Sequence, residues 1–250
     1  MSFFVIKLKH LIIAALVIIA IPVVWINAPK AVTVFRVNGR EVPVYSVERA
    51  DNKIAVTFDC AWNDSDIDQI LDTLDKYSCK ATFFVVGTWA EKYPDALGKI
   101  SERGHEIGNH SYNHADYTKL SASQITADLD KCDAVIANVT GEKPYLMRAP
   151  SGGYNDTVVT AVEKSGRMYI QWSIDSIDYG GATEQDIYDR SVKKTSAGDI
   201  LLLHNGTDNT ANVLPKILEA LECQYEFATV SELIYRENYI IDNTGRQFTK

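Results

Sequence analysis

The chain has 250 residues and a formal net charge of −8. An acidic chain of this kind offers no cationic surface to neutralise phosphates, so we exclude nucleic acid as the expected partner. With 46% hydrophobic and 10% aromatic residues it can bury one large core, and we predict a single main domain.

The first predicted element is an apolar segment near the N-terminus. Residues 11–26 carry no charge and follow two lysines and a histidine, which is typical of a membrane-spanning helix whose N-terminus stays inside. A cleaved signal peptide is the alternative, but the small-residue site around Ala28 is followed by Pro29, which is poor for cleavage. We expect residues 1–26 to anchor the protein in the cell membrane, with its main domain outside the cytoplasm.

Residues 27–52 are predicted to form a linker with a β-hairpin, because strand-like runs lie on both sides of Asn38-Gly39. The main domain is expected over residues 53–235, and residues 236–250 are expected to form a C-terminal tail. Within the domain we predict seven strands, in chain order KIAVTFD, KATFFVVG, GHEIGNHS, YLMRAPSG, YIQWSID, DILLLHNG and EFATV.

Helical stretches separate the predicted strands. One has apolar residues at helical spacing in Ile67, Ile70, Leu71 and Leu74, and another begins with a capping box at Ser121 and Gln124. Further stripes are Ile125, Leu129, Cys132, Ile136 and Val139, and Val213, Ile217, Leu218 and Leu221. Alternation of strands and helices indicates an α/β fold with a parallel sheet, either doubly wound or closed into a barrel. Seven units favour an incomplete, distorted (β/α)7 TIM-like barrel.

The four cysteines fit neither a dense disulfide framework nor a paired C-x-x-C metal site. Cys132 belongs to an apolar helix stripe and is expected in the core. Cys60 ends one predicted strand and Cys79 precedes the next parallel strand, which places them near 20 Å apart at opposite ends of the sheet. We therefore expect no disulfide between them.

Polar residues gather at the carboxyl ends of the predicted strands. In a parallel barrel these ends form one face, where active sites are built. A single histidine or aspartate there would more often be a turn or surface residue, but agreement between several strand ends favours a site. The residues are Asp59, His110, His114, Arg148, Asp175, Asp178 and His204, with Asp175 the weakest candidate.

His110 and His114 can bind one metal ion from a short turn, but Ser111 replaces the glutamate of the H-E-x-x-H pattern, which disfavours a zincin protease. A metal, a carboxylate base and a further histidine suit hydrolysis of a stable acyl bond. The sequence therefore indicates a metal-dependent hydrolase.

Five short motifs, TFDCAW, HSYNH, RAPSGGY, DSIDY and LLLH, occur in this order. Together they resemble the motifs of NodB-type polysaccharide deacetylases, carbohydrate esterase family 4, over about residues 53–235. The resemblance implies removal of N-acetyl groups from amino sugars, or of O-acetyl groups from xylan in some branches. An anchored, exported member is most similar to enzymes that act on peptidoglycan N-acetylglucosamine. The implied cofactor is one divalent metal, most simply zinc, and no protein partner is implied.

The resemblance also implies roles for single residues. Asp59 is similar to the family's base, and Arg148 to the residue that orients it. His204 is similar to the general acid, with Asp178 as the residue that tunes it. His110 and His114 are similar to the family's metal ligands. Ser151, Tyr179 and Leu202 are similar to its substrate-binding residues.

The sequence departs from the family pattern at Cys60, Ser151 and Tyr179, where the family has Asp, Tyr and Trp. We expect Cys60 to occupy the third metal position as a thiolate. The alternatives are that Asp64 or Asp66 supplies a carboxylate, or that water fills the position while Cys60 only packs. The missing aspartate also keeps a different function open, that of a catalytically weak, wall-binding module with the same fold.

Overall fold

The structure, a computed structural model, describes residues 42–250. The strands are β1 (Ser46–Val47), β2 (Lys53–Cys60), β3 (Thr82–Val85), β4 (Glu106–Asn109), β5 (Leu146–Met147), β6 (Met168–Tyr169), β7 (Ile174–Asp175), β8 (Ile200–His204), β9 (Glu226–Ala228), β10 (Tyr239–Ile241) and β11 (Arg246–Thr249). The α-helices are α1 (Ile67–Lys76), α2 (Gly87–Lys92), α3 (Pro94–Glu102), α4 (Ala122–Thr140), α5 (Asp156–Lys164), α6 (Glu184–Lys193), α7 (Thr210–Glu222) and α8 (Val230–Leu233).

The predicted anchor and the Asn38-Gly39 turn lie outside the described residues. None of the helices within residues 42–250 is long and apolar enough to cross a membrane. Three short 3-10 turns complete the described elements, at Tyr117–Lys119, Pro150–Gly152 and Asp178–Gly180.

The helices form where the apolar spacing and capping signals place them. All four stripe residues of α1 are buried, as are those of α7. Ser121 caps α4 with the predicted capping box, and the helix ends at Gly141 in the left-handed conformation that favours glycine. Cys132 is buried in the α4 stripe, and the cysteines at positions 60, 79, 132 and 223 are all free. The predicted absence of a Cys60–Cys79 disulfide is therefore confirmed.

The central sheet is parallel and confirms the predicted α/β class. Seven of its strands lie in the order β6-β5-β4-β3-β2-β8-β7. An eighth, β9, pairs with the first three residues of β2, while β3 pairs with its last four. The carboxyl ends of β2 and β8 are adjacent, since Asp59 is the pairing partner of His204.

The fifth predicted strand is wrong as a single element. The stretch YIQWSID contributes to two short strands, β6 and β7, which lie at opposite edges of the sheet. Four residues join them, so the two edges are at most about 18 Å apart. In a flat sheet of seven strands the edges would be about 29 Å apart. The sheet must therefore curl, which is consistent with the predicted incomplete barrel.

Residues 44–47, which we call the seam segment, lie before β2. They form hydrogen bonds with residues at the end of β6 and with a residue just before β8. The N–H of Val44 donates to Tyr169, and the N–H of Gln171 donates to Val44, at 3.0 and 2.7 Å. The N–H of Val47 donates to Gly198 at 2.9 Å. Beyond the predicted domain, the C-terminal residues form β10 and β11, and β11 pairs in parallel with β1. The described fold thus includes residues on both sides of 53–235.

The side chains of β2 alternate between two environments. Ile54, Val56, Phe58 and Cys60 belong to the apolar layer beneath helices α1, α2, α3 and α7. Thr57 and Asp59 instead make polar contacts with Arg148. This two-residue periodicity decides which side chains reach the functional site.

Candidate active site

A pocket of about 220 Å³ lies at the carboxyl ends of the barrel strands. It brings together most of the residues that the sequence analysis selected from separate motifs. Its lining residues are Asp59, Ala61, Trp62, His110, His114, Ser151, Trp172, Tyr179, Leu202 and His204.

Asp59 is held by Arg148, which is completely buried. Nη1 of the arginine donates to Asp59 Oδ1 at 2.7 Å and to Thr57 Oγ1 at 2.9 Å, and Nη2 donates to the carbonyl of Gln171 at 3.0 Å. Burial raises the pKa of Asp59, but the charge of Arg148 and the neighbouring histidines outweigh it and lower the pKa below its ordinary value. Asp59 is therefore an ionised carboxylate in a fixed orientation.

His110 presents an unprotonated nitrogen to the pocket. Its Nδ1 lies 2.8 Å from the carbonyl oxygen of Arg148, which can only accept, so Nδ1 carries the proton and Nε2 has a free lone pair. Burial lowers the pKa of His110 to about 4, and the ring is neutral at pH 7. His110 Nε2 and Asp59 Oδ2 face each other at 3.5 Å. Two acceptors this close favour a cation between or beside them.

His114 lies beside His110, with ring centroids 5.2 Å apart, and burial lowers its pKa as well. Two neutral imidazoles are nitrogen donors that zinc and other divalent ions accept. The residues therefore fit the metal that the sequence predicts, with His110 and His114 to hold it. Among residues 42–250, however, no group of three His, Cys, Asp or Glu side chains is arranged to hold a metal ion.

Cys60 is absent from the pocket. It is 0% exposed and lies in the apolar layer, because it follows Asp59 in β2 and points to the opposite face of the sheet. Burial is the main cause that raises the pKa of the Cys60 thiol well above its ordinary value, which opposes the thiolate form. The structure thus does not bring Cys60 together with the two histidines, and it favours the alternative in which Cys60 only packs.

The two carboxylates considered as replacements also lie outside the pocket lining. Both Oδ atoms of Asp66 accept from the N–H of Gly206, at 2.9 and 2.8 Å. Asp66 is also the N-cap residue of α1, but its side chain makes no capping bond there. The Asp64 carbonyl accepts from Ile67 in the same turn. Neither residue therefore lines the pocket together with His110 and His114.

His204, on the strand next to Asp59, also lines the pocket and is hydrogen-bonded to Asp178. Its Nδ1 is 2.7 Å from Asp178 Oδ1, and its backbone N–H donates to Asp178 Oδ2 at 2.7 Å. Thr210 Oγ1 donates to the same carboxylate at 2.6 Å. Burial lowers the pKa of His204, but the hydrogen bond to Asp178 and the charges of Asp59 and Asp178 outweigh it, and the net pKa is raised. His204 is thus suited to donate a proton.

Aromatic rings line the mouth of the pocket. Trp62 and Tyr179 are 47% and 52% exposed, and each has its ring centroid 5.2 Å from that of His204. Tyr179 is a site residue predicted from the sequence, whereas Trp62 and Trp172 line the pocket without having been predicted. Trp62 follows the end of β2 by two residues, so its position after Asp59 was the available signal. Trp172 lies in the segment between β6 and β7, which was expected to be regular strand.

Ser151 and Leu202 line the pocket as expected, whereas Asp175 does not. Asp175 accepts from the N–H of Ile177 at 2.9 Å and lies 3.3 Å from Trp172 Nε1, so it stabilises the turn after β7. Ser151 and His114 have positive φ angles of 55° and 59°, a conformation uncommon outside glycine. Strained residues of this kind concentrate at functional sites.

Comparison with known proteins agrees with this arrangement. Residues 46–170 match the family described as polysaccharide deacetylase. The chain belongs to the polysaccharide deacetylase family. The family assignment confirms the resemblance given by the five motifs.

Two relatives of this family are named as cell-wall deacetylases. The peptidoglycan-N-acetylglucosamine deacetylase of Bacillus cereus is 34% identical, over 76% of this chain and 92% of the relative. The peptidoglycan-N-acetylmuramic acid deacetylase PdaC of Bacillus subtilis is 32% identical, over 75% of this chain and 40% of PdaC. The chain spans 40% to 60% of the length of several curated relatives that it matches.

One solved relative is not an active enzyme. BA3943 of Bacillus anthracis, described as a family 4 carbohydrate esterase pseudoenzyme, has a TM-score of 0.74 and 27% identity, over 84% of this chain and 73% of its own. A mutant of BA3943 is described as having restored enzymatic activity, with the same TM-score and 30% identity, over 78% of this chain and 72% of its own. Members of this polysaccharide deacetylase fold therefore include both enzymes and pseudoenzymes.

Proposed function

We propose that this polysaccharide deacetylase hydrolyses N-acetyl groups of a cell-wall polysaccharide, peptidoglycan N-acetylglucosamine in particular, and releases acetate. The observation that carries the proposal is a matched base and acid on neighbouring strands. Asp59 on β2 is held ionised by Arg148, and His204 on β8 is held by Asp178 with its pKa raised. Two groups whose environments favour opposite protonation states are what hydrolysis of an amide needs.

In this mechanism Asp59 takes a proton from the attacking water. Its Oδ1 is bound by Arg148, which leaves Oδ2 toward His110 and the pocket. Because the pKa of Asp59 is lowered, chiefly by the charge of Arg148 acting against the effect of burial, the base is available at neutral pH. A divalent cation held by His110 and His114 would supply Lewis-acid activation of the water and of the acetyl carbonyl.

His204 donates a proton to the nitrogen of the departing amino sugar. Its Nδ1 is bound to Asp178, so Nε2 is the nitrogen that can reach the substrate. The backbone N–H of Ser151 is the candidate donor to the developing oxyanion, and Leu202 provides an apolar contact for the acetyl methyl group.

The substrate assignment is supported by the exposed aromatic rings. The large hydrophobic residues exposed in residues 42–250 are Trp62, Tyr154 and Tyr179, and all three follow strand ends or loops that also supply pocket residues. Such rings provide apolar faces for sugar rings. The named relatives act on peptidoglycan, which supports a wall polysaccharide rather than acetylxylan.

The burial of Cys60 favours a second function. Without a third close protein ligand, the pocket can bind an acetylated glycan and turn it over weakly or not at all, as a wall-binding module. BA3943 shows that relatives without activity exist in this fold. In this case the aromatic rings and the pocket would bind glycan while acetate release is lost.

One experiment separates the two functions. Acetate release is measured from purified peptidoglycan, chitooligomers and acetylxylan, each with and without chelator, next to binding of the same glycans. Chelator-sensitive release from peptidoglycan or chitooligomers, absent in His204→Ala, supports the deacetylase. Glycan binding with no acetate release supports the wall-binding module. Release from acetylxylan alone contradicts the N-acetyl substrate.

The cellular location remains part of the proposal. A wall substrate requires the domain to lie outside the cytoplasm, held at the cell membrane by residues 1–26. Protease added to cells stripped of their wall should digest the domain, while the intact protein fractionates with membranes. A mature form that begins near Pro29 in the medium would show cleavage instead.

A further inference from the structure

The two histidines that line the pocket beside Asp59 are fixed to different degrees. His110 is 1% exposed, and its ring is hydrogen-bonded to the carbonyl of Arg148. His114 is exposed and belongs to no helix or strand, so its position depends on the backbone that carries it. This backbone is the stretch of residues 110–117, which we call the histidine loop. It follows β4 and leads toward α4.

The histidine loop has an unfavourable backbone conformation. Ser111 and His114 have φ angles of 63° and 59°, in a region that residues other than glycine rarely adopt. Such a conformation persists only where the surrounding contacts hold it in place. The start of the loop is held by Asn109, whose Oδ1 accepts from the N–H of Ser111 at 2.9 Å. The contacts that hold the rest of the loop therefore decide where the His114 ring lies relative to His110.

Asp128, on α4, binds the histidine loop at two points. Its Oδ1 accepts from the backbone N–H of Tyr112 at 2.8 Å and from the hydroxyl of Tyr117 at 2.6 Å. Tyr112 lies midway between the two histidines, and Tyr117 is the last residue of the loop. A single carboxylate oxygen thus ties the middle of the loop to its end. Asp128 does not line the pocket, so it can influence the site only through the loop.

The start of α2 holds the same part of the loop through backbone groups. The N–H of Gly87 donates to the carbonyl of Ser111 at 3.0 Å, and the N–H of Thr88 donates to that of Tyr112 at 2.8 Å. Gly87 permits this approach, since a Cβ atom there would lie 2.6 Å from Cδ2 of the Tyr112 ring. The carbonyl of Tyr112 therefore depends on the backbone of α2, whereas its N–H depends on the side chain of Asp128. A substitution at Asp128 removes one support of the loop and leaves the other.

We propose that Asp128 is a positioning residue of the active site, which holds the histidine loop in the conformation that places His114 beside His110. The inference rests on the proposed function, since it takes the two histidines as the residues that hold the divalent cation. Loss of the carboxylate would remove the acceptor shared by Tyr112 and Tyr117, and the loop could then leave its strained conformation. The His114 ring would no longer stay beside His110, and the affinity for the cation would fall.

The test is the zinc affinity of the full-length protein, measured by competition with a chromophoric chelator. Asp128→Ala should bind zinc about 10- to 100-fold more weakly than the parent, the range found when a group that orients a metal ligand is removed. Asp128→Asn should stay within about threefold of the parent, because its amide oxygen can accept the same two hydrogen bonds. Unchanged affinity in the alanine variant, or an equal loss in both variants, would overturn the proposal.

The matched control is Asp199→Ala. Asp199 also accepts from one backbone N–H and one hydroxyl, those of Ser196 and Ser173, at 2.7 and 2.8 Å. It precedes β8, whose opposite end carries His204 into the pocket. Asp199→Ala should lower the free energy of unfolding as Asp128→Ala does, without a change in zinc affinity. Equal weakening of zinc binding in both alanine variants would show that lost stability is the cause and would contradict a positioning role.

Two further variants decide the matter even if Asp128→Ala does not fold. Tyr117→Phe removes one of the two donors and keeps the buried ring, so zinc affinity should fall about two- to tenfold, the worth of one hydrogen bond. Unchanged affinity in Tyr117→Phe would refute the proposal. His114→Ala must weaken zinc binding, and if it does not, the loop carries no ligand and the proposal fails. Acetate release is measured separately, so a parent that binds zinc through His114 but releases no acetate contradicts only the proposed function.

Discussion

Replacing Cys60 by alanine should weaken the fold without weakening metal binding. Cys60 is 0% exposed in the apolar layer, and no hydrogen bond involves its side chain within residues 42–250. Loss of the sulfur removes buried apolar contact and leaves a small cavity, which together cost about 1–2 kcal/mol. For a domain of this size, that corresponds to a decrease of roughly 2–8 °C in Tm.

The matched control is Cys79→Ala, because Cys79 is also a free, fully buried cysteine of the same apolar layer, and its side chain makes no hydrogen bond within residues 42–250. Zinc affinity and thermal unfolding are measured for both variants and the parent. We expect similar losses of stability and unchanged zinc affinity in both. Removing a group that only orients a ligand lowers metal affinity about 10- to 100-fold, so loss of a ligand should exceed that. A decrease of this size in Cys60→Ala alone, with a thiolate–cobalt band in the cobalt-loaded parent, would refute the reasoning.

Three further predictions concern the pocket. Asp59→Asn should lower acetate release at least 100-fold. It also leaves Arg148 buried without its charge partner, so the free energy of unfolding should fall by about 3–5 kcal/mol. Rates are therefore compared on protein shown to be folded by circular dichroism. Asp178→Asn removes a charge that raises the pKa of His204, so the protonated acid should be lost at lower pH. The alkaline limb of the kcat/KM profile should therefore shift to lower pH. A limb at unchanged pH would exclude His204 as the acid. Tyr179→Ala should raise KM for chitooligomers several-fold with little change in kcat, and an equal loss in kcat would show that the ring acts on the reaction itself rather than on binding.

Much of the site could be predicted because strand ends and strand order follow from the sequence pattern. Apolar runs followed by Asp59, His110, Arg148 and His204 place these side chains at one end of a parallel sheet, and the structure brings them together. To predict those contacts, it is enough to know the direction of the strands. The pairing of His204 with Asp178 also follows, since the two residues end neighbouring units.

The rest depended on side-chain direction and on long-range pairing. Neighbouring side chains of a strand point to opposite faces of the sheet, so Asp59 and Cys60 of β2 cannot both point into the pocket. A role for both at the site would require a local distortion of β2, which the structure lacks. The division of YIQWSID into two strands depends on its contacts with Val44 and with β8, which are distant in sequence. The strands formed by the C-terminal residues likewise depend on pairing with β1.

The seam segment has a mechanical consequence. The N–H of Gln171 donates to Val44, the carbonyl of Gln171 accepts from Arg148, and Arg148 donates to Asp59. Tension applied to the chain at residue 42 therefore reaches the carboxylate through three successive hydrogen bonds, before it loads the eight residues of β2. A pull that separates Val44 from β6 would remove the backbone partner of Gln171, whose carbonyl supports Arg148, while most of the sheet is still intact.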